Sequence, residues 1–302
     1  MPRLLRLIAV QAAPEPVGDL TGFAADVRRR GPEADLLVYP ELHLFGTDPG
    51  LSGPDRDALL WESAVRRDSA LLGEVGALAA ETGTWLLPGS ICELGDDGRL
   101  YNTALLFSPD GALAAAYRKV FPWRPHEPYA IGTEFVVTDL PGLGRVGMSV
   151  CYDAWFPEVT RQLAWMGAEL VLNVVKTTTD DRAQELVLAR SNSIVNQVFT
   201  VSVNCSGPEG RGRSLIVGPE GDVLAESPIA DADVLEVTLD LDDVTRAHRQ
   251  GTEGLNRMWS QFRPNDPPVP LPIYGGRIDP ATWQPRHHRT DSATDTQETH
   301  HV

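Results

Sequence analysis

Four residues with the chemistry to act on a substrate stand at or just beyond the ends of apolar runs. Cys151 closes the run Val146 to Val150, and the polar pair Tyr152–Asp153 follows it. A helical pattern then runs from about Phe156–Pro157 to Gly167. A strand that delivers a cysteine to a turn just before a helix presents a nucleophile: backbone N–H groups point at whatever the sulfur attacks, and the helix N-terminus favours negative charge. Glu41 follows the apolar stretch LLVYP, Lys119 follows LAAAYR, and Glu127 lies eight positions beyond Lys119. Strand ends followed by loops are where α/β folds put chemistry, and these are charges a thiol nucleophile can use. Each residue alone also has an ordinary reading, with Cys151 as a small buried hydrophobe and each charge as a solvated loop residue. His43 and His126 read as loop histidines without a catalytic role.

The elements that must position these residues follow from periodicity and punctuation. Strands are expected at Leu4–Val10, Leu36–Tyr39, Thr84–Glu93, Tyr101–Phe107, Leu113–Arg118, Phe135–Asp139, Arg145–Val150, Glu169–Val174, Val198–Cys205, Arg213–Val217, Val223–Ala225 and Val234–Leu239. Helices are expected at Asp19–Arg30, Asp57–Glu81, Arg182–Gln197 and Leu241–Gln250, besides the one after Cys151. The stretch Leu42–Asp57 and the proline-bearing Lys119–Gly132 read as loops. Ser108–Pro109–Asp110–Gly111 and Gly218–Pro219–Glu220–Gly221 read as hairpin turns. The order β-α-β-α-β, strands, β-α-β-α-β, strands gives two similar halves of a layered α/β fold, with sheets inside and helices outside.

No linker divides the chain before about residue 250, so residues 1–250 read as one domain. Residues 251–285 form a proline-rich arm carrying Trp259, Phe262, Ile273, Tyr274 and Trp283, and the polar tail 286–302 reads as disordered. The 302 residues are 42% hydrophobic with a net charge of −16. An acidic chain lacks the basic face of a nucleic-acid binder and is ill suited to anionic membranes. No stretch approaches the ~20 apolar residues of a membrane span. Three widely spaced cysteines give neither a disulfide framework nor a zinc motif. The chain reads as a soluble protein of the reducing cytoplasm.

Taken together the motifs resemble the carbon–nitrogen hydrolase, or nitrilase-type, superfamily over about residues 4–250. The nucleophile motif is GMSVCYDAWFPE, the glutamate motif VYPELHLFG and the lysine motif YRKVFPWRPHEPYAIG. Weaker echoes are YNTALLFSPDG, ARSNSIVNQVFTVSVNCSG and GRSLIVGPEGDVLAE. The resemblance implies an α-β-β-α four-layer sandwich and a catalytic triad of Glu41, Lys119 and Cys151, supported by Glu127. In that scheme Glu41 is the general base, and Lys119 offsets the charge that a carboxylate sets beside a thiol. Lys119 and the backbone N–H of Tyr152 would hold the oxyanion, each such donor being worth roughly 10²–10³ in rate. No metal or organic cofactor is required. Trp123, Tyr129, Tyr152 and Trp155 are candidate pocket walls.

True nitrilases carry Trp–Glu directly after the cysteine, whereas this chain has Tyr152–Asp153, which favours an amidase. The Pro–Trp after the lysine resembles the aliphatic amidase and formamidase branch. The match is incomplete: the helix motif Arg-Ala-x-Glu-Asn appears as Asn192-Ser193-Ile194-Val195-Asn196. The leading expectation is a cysteine amidohydrolase that turns a small linear amide and water into a carboxylate and ammonia. An N-carbamoyl amine or amino acid hydrolase is the alternative, with Arg124, Lys176 or Arg190 as the cation for a substrate carboxylate. A nitrilase and a non-catalytic regulatory protein of the same fold rank lower. The superfamily's habit of pairing through the helix after the cysteine implies a homodimer or higher oligomer. Val159, Leu163, Trp165 and Met166 are the apolar residues expected to be exposed there.

Overall fold

The computed structural model describes residues 2–47, 50–51, 53–271 and 273–279. The chain to Gln261 forms one compact unit, and residues from Phe262 onward form a second. The polar tail 286–302 and Trp283 lie outside the described residues.

Two sheets form the interior. Strands β1 (Leu4–Gln11), β2 (Leu36–Val38), β3 (Trp85–Leu87), β4 (Ser90–Leu94), β5 (Leu100–Phe107) and β6 (Leu113–Arg118) belong to the first, closed at one edge by β13 (Asp233–Asp240). Its order is β13-β1-β2-β3-β5-β4, with β6 also paired to β5. The second holds β7 (Val137–Leu140), β8 (Gly144–Val150), β9 (Leu170–Val175), β10 (Phe199–Asn204), β11 (Leu215–Val217) and β12 (Val223–Glu226) in the order β12-β11-β10-β9-β8-β7. The two halves repeat one plan. β1, β2 and β3 run parallel, as do β8, β9 and β10, and an antiparallel strand flanks each set.

The facing sides of the sheets meet in one apolar core. Leu7, Val38, Leu87 and Leu106 from the first sheet lie with Met148, Val150, Leu172 and Val201 from the second. The parallel strands read as continuous apolar runs because both of their faces are covered. Helices α1 (Thr21–Arg30) and α3 (Ala70–Thr82) cover the outer face of the first sheet through Phe23, Val27, Leu72 and Val75. Helices α4 (Pro157–Trp165) and α5 (Arg182–Asn196) cover the second, and α6 (Asp242–Gln250) sets Val244 against the central core. This is the four-layer α-β-β-α sandwich.

The structure departs from the sequence reading in three places. The helix expected over Asp57–Glu81 is two helices, α2 (Gly53–Glu62) and α3. Between them Ser63 returns its hydroxyl to Leu59 O, and Val65 leaves the helix to exchange backbone bonds with Cys92 and Leu94 beside β4. Pairing with a sheet edge wins there over helix continuation. The strand expected over Thr84–Glu93 is also two, because Pro88–Gly89 breaks the ladder and Gly89 takes φ 93°. Finally, Val159 and Leu163 are fully buried, with Val171 and Val198, rather than exposed on α4. Trp165 alone of the four projects well into solvent, 74% exposed.

Candidate active site

Each candidate residue sits just past the end of a strand. After β2 the chain turns at Pro40, with Tyr39 N–H bonded to Leu87 O at 2.9 Å. Gly89 lies directly against this turn, so that a Cβ there would fall 1.7 Å from Pro40 O. Ser90 Oγ accepts the Leu42 N–H at 3.0 Å. These contacts fix Glu41, which is 1% exposed. On the neighbouring edge, Lys119 N–H bonds Asn102 O and Lys119 O accepts from Gly132, both at 2.8 Å. The Lys119 ammonium is thereby buried beside two carboxylates, 3.2 Å from Glu41 Oε1 and 2.8 and 2.9 Å from the oxygens of Glu127. Asn102 Nδ2 donates to Glu41 Oε1 at 2.7 Å, and Trp123 N–H donates to Glu127 Oε2 at 2.7 Å.

β8 delivers Cys151 from the other sheet. The residue has φ 47°, a left-handed conformation that non-glycine residues adopt only where their surroundings enforce it. It opens a 3₁₀ turn over Cys151–Trp155. Asp153 enforces that turn. Its Oδ2 accepts the Val150 N–H at 3.0 Å and the Tyr117 hydroxyl at 2.8 Å, and its Oδ1 accepts the Phe121 N–H at 2.8 Å. Burial pushes the Asp153 carboxyl up to about 6 against the pull of Lys119 and these donors. The Cys151 thiol hydrogen-bonds the Glu41 carboxyl. It also lies 3.9 Å from Thr177 Oγ1.

The electrostatics follow from burial and one shared cation. Burial raises the Glu41 carboxyl, and Lys119 counters part of that rise. Burial works against the charged form of Lys119, but the carboxylates of Glu41 and Glu127 outweigh it and hold its pKa well above the ordinary value. Burial and then the charge of Glu41 push the Cys151 thiol well up. In the empty site the sulfur is therefore a thiol beside a carboxylate of raised basicity. The proton has a short path between them, and the ammonium can follow whichever oxygen gains charge.

A cavity of about 120 Å³ opens onto this cluster. Its walls include Glu41, Phe45, Leu60, Trp123, Glu127 and Tyr129, with Arg56, Lys176 and Thr178 also lining it. The structure thus brings Glu41, Lys119, Glu127 and Cys151 together and sets Trp123 and Tyr129 around the space before them. Trp155 is not among the lining residues; its ring lies 6.1 Å from that of Tyr152, which in turn meets Phe156 edge-on. Of the three candidate cations, Lys176 lines the cavity, paired with Glu209 at 2.7 Å. Arg124 and Arg190 are spent on the backbone oxygens of Tyr129 and Gly221. Among the described residues, no group of three or more His, Cys, Asp or Glu side chains is arranged to hold a metal ion.

Asn102, Thr177 and Glu185 have no counterpart among the sequence candidates. Thr177 follows the end of β9 as Cys151 follows β8, so strand-end position was its available signal. Nothing in the sequence marks Glu185, one of several charges on a helical stretch.

The family model for carbon–nitrogen hydrolases matches residues 8–249. The chain is 31% identical over 215 residues to a formamidase of Pseudomonas syringae pv. syringae (strain B728a), which covers 68% of this chain and 60% of the formamidase. It thus spans less than two thirds of that relative. Among solved structures, Nit3 of Saccharomyces cerevisiae, a member of the nitrilase superfamily, superimposes with a TM-score of 0.74 at 23% identity over 85% of this chain and 97% of Nit3. The amidase of Nesterenkonia sp. AN1 does so with a TM-score of 0.66 at 26% identity, over 81% of this chain and 94% of the amidase, in a cysteine-to-alanine variant complexed with butyramide. Another variant of that amidase carries the acetamide moiety of fluoroacetamide covalently on its active-site cysteine.

Proposed function

Because the chain belongs to the carbon–nitrogen hydrolase family, we propose that it is a cysteine amidohydrolase cleaving a small linear amide to a carboxylate and ammonia. The observation that carries this reading is the buried Glu41–Lys119–Glu127 cluster, facing the Cys151 thiol at the foot of a cavity of about 120 Å³. Glu41 takes the thiol proton as Sγ bonds to the amide carbon, and the carbonyl π pair moves to oxygen. The Lys119 ammonium and the backbone N–H of Tyr152 stabilise that oxyanion. The adduct collapses, the C–N bond breaks, and Glu41 hands its proton to the departing nitrogen, leaving a thioester on Cys151. Water then loses a proton to Glu41 and attacks the thioester. The C–S bond breaks, and the proton returns to sulfur. Glu127 orients Lys119.

The small cavity supports a short acyl group, as does the butyramide bound by the Nesterenkonia amidase. Tyr152–Asp153 in place of Trp–Glu supports an amide over a nitrile. One observation favours the N-carbamoyl amino acid alternative: Lys176 lines the cavity and can meet a substrate carboxylate. It ranks second because Glu209 already neutralises that ammonium. The hydrolase domain in this reading is residues 1–250, with residues 251–285 as an arm. The protein acts in the cytoplasm as a homodimer, and the exposed Trp165 beside Trp259 offers α4 as the contact face, which sedimentation checks directly.

The test follows ammonia released from formamide, acetamide, butyramide, butyronitrile and N-carbamoyl amino acids. Turnover of a small amide that vanishes in Cys151→Ala is the expected result. Release at the wild-type rate by that variant would overturn the reading.

A further inference from the structure

On the side of Cys151 away from the mechanism already described lies a second buried carboxylate. Thr177 Oγ1 sits 2.8 and 2.7 Å from the two oxygens of Glu185, and 3.9 Å from Cys151 Sγ. Arg182, itself 2% exposed, donates to Glu185 Oε2 at 3.0 Å and to the Ser202 hydroxyl at 3.0 Å. It also reaches the backbone oxygens of Gly212 and Arg213. Thr177 is fixed from the main chain as well, its N–H held by Asn204 Oδ1 at 2.9 Å.

The direction of these bonds is decided by chemistry. A guanidinium only donates, so Glu185 beside Arg182 is a carboxylate, and a carboxylate only accepts. The Thr177 hydroxyl must therefore spend its one proton on Glu185. What it turns toward the sulfur is a lone pair. It can accept from S–H, but it cannot donate to S⁻.

We propose that Thr177 and Glu185 are positioning residues for Cys151. Glu185 locks the Thr177 hydroxyl as an acceptor, and that acceptor holds the empty-site nucleophile as a thiol until Glu41 removes the proton. Glu185 also raises the thiol through its charge, on top of burial and Glu41. The charged groups facing the sulfur are then Glu41 from the end of β2, Lys119 after β6, Glu127 in the following loop, and Glu185 and Arg182 from α5. Lys119 alone opposes three carboxylates directly. The lone pair adds a directional penalty on a thiolate that turns toward β9, so the charged sulfur is steered toward Glu41 and the cavity.

The experiment reads the rate of Cys151 alkylation by iodoacetamide against pH, by mass spectrometry of the Cys151 peptide. Cys92 and Cys205 are buried with thiols pushed up to about 12, so they do not compete. In Glu185→Gln the amide can donate to Thr177, freeing its hydroxyl to donate to sulfur while a negative charge is removed. The midpoint should fall by about one pH unit or more, which is tenfold more thiolate at a given pH. Thr177→Ser keeps the hydroxyl and should overlay the wild type. Thr177→Val, which leaves the Arg182–Glu185 pair in place, should also lower the midpoint and should reduce kcat with little change in KM. An unmoved or raised midpoint in Glu185→Gln overturns the proposal. If that variant does not fold, a Thr177→Val profile matching the wild type does so. The proposal rests on Cys151 as the nucleophile, but the two fail separately. Activity of Cys151→Ala judges the function, and the alkylation midpoint judges the positioning.

Discussion

At the residue scale the site is two buried carboxylates sharing one ammonium. Removing that ammonium should be expensive, because breaking a buried ionic group by taking out one partner leaves uncompensated charge. Lys119→Met is predicted to lower stability by about 3–5 kcal/mol in a urea titration. Where the variant still folds, amide turnover should drop by at least roughly 10²-fold through loss of an oxyanion donor. Glu41, Lys119, Glu127 and Cys151 were legible in the sequence because each ends or follows an apolar run, so position and chemistry pointed the same way. Asn102 and Thr177 were not legible in this sense. Their importance is a matter of which atoms they face across the sandwich, Glu41 Oε1 in one case and Cys151 Sγ in the other. Asp153 was read as a marker of substrate type. The structure shows it as the clamp of the turn that presents the cysteine, taking N–H groups from Val150 and Phe121 and a hydroxyl from Tyr117.

At the scale of elements, the feature that fixes Glu41 is the crossing of two irregular segments, Pro40–Leu42 and Pro88–Gly89. Gly89 has φ 93°, and a methyl group there would collide with Pro40 O. Gly89→Ala must push the Pro40–Glu41 peptide aside. A displacement near 1 Å at a reacting group costs about 10² in rate. The expected outcome is a kcat loss of that order together with a lower melting temperature, whereas Gly98→Ala, with open space at its Cβ position, should keep wild-type turnover. The strand register and the hairpins were readable because apolar runs and turn residues alternate cleanly. The break between α2 and α3 was not, since Val65 is apolar and helix-compatible, and only the exposed edge of β4 draws it out of the helix.

At the scale of the molecule, stability depends on how the sandwich treats its few buried titratable groups. His43 is stacked on Tyr39 and edge-on to Phe23, with Nδ1 unpartnered, and burial pulls its pKa down to about 4. Asp26 pulls the other way and Lys176 adds to the depression. An unfolded histidine titrates near ~6.5. Between those values the unfolded chain holds the extra proton, so the contribution is complete above the unfolded pKa and is lost as pH falls toward the folded one. Wild type is therefore predicted to lose about 3 kcal/mol more than His43→Phe between roughly pH 6.5 and 4, measured as urea midpoints across that range. Asp153, raised to about 6, has the opposite sign: its contribution is lost as pH rises toward 6. The two-sheet plan itself was visible in the repeated β-α-β-α-β order. Which histidine would be dry was not, because His43 and His126 both stand in loops and only packing separates them.

The shared ammonium also bears on what happens once the C–N bond is gone. The organic product is an anion, generated within reach of Glu41 and Glu127 with one cation already divided between them. Like charges in a partly desolvated space repel more strongly than in water. The same cluster that activates the thiol therefore acts as an exit drive. It empties the cavity of carboxylate while a neutral amide meets no such barrier to entry, and hydrolysis is pulled forward. Accumulated carboxylate should accordingly inhibit weakly, with an inhibition constant far above the KM of the parent amide in progress curves run at neutral pH.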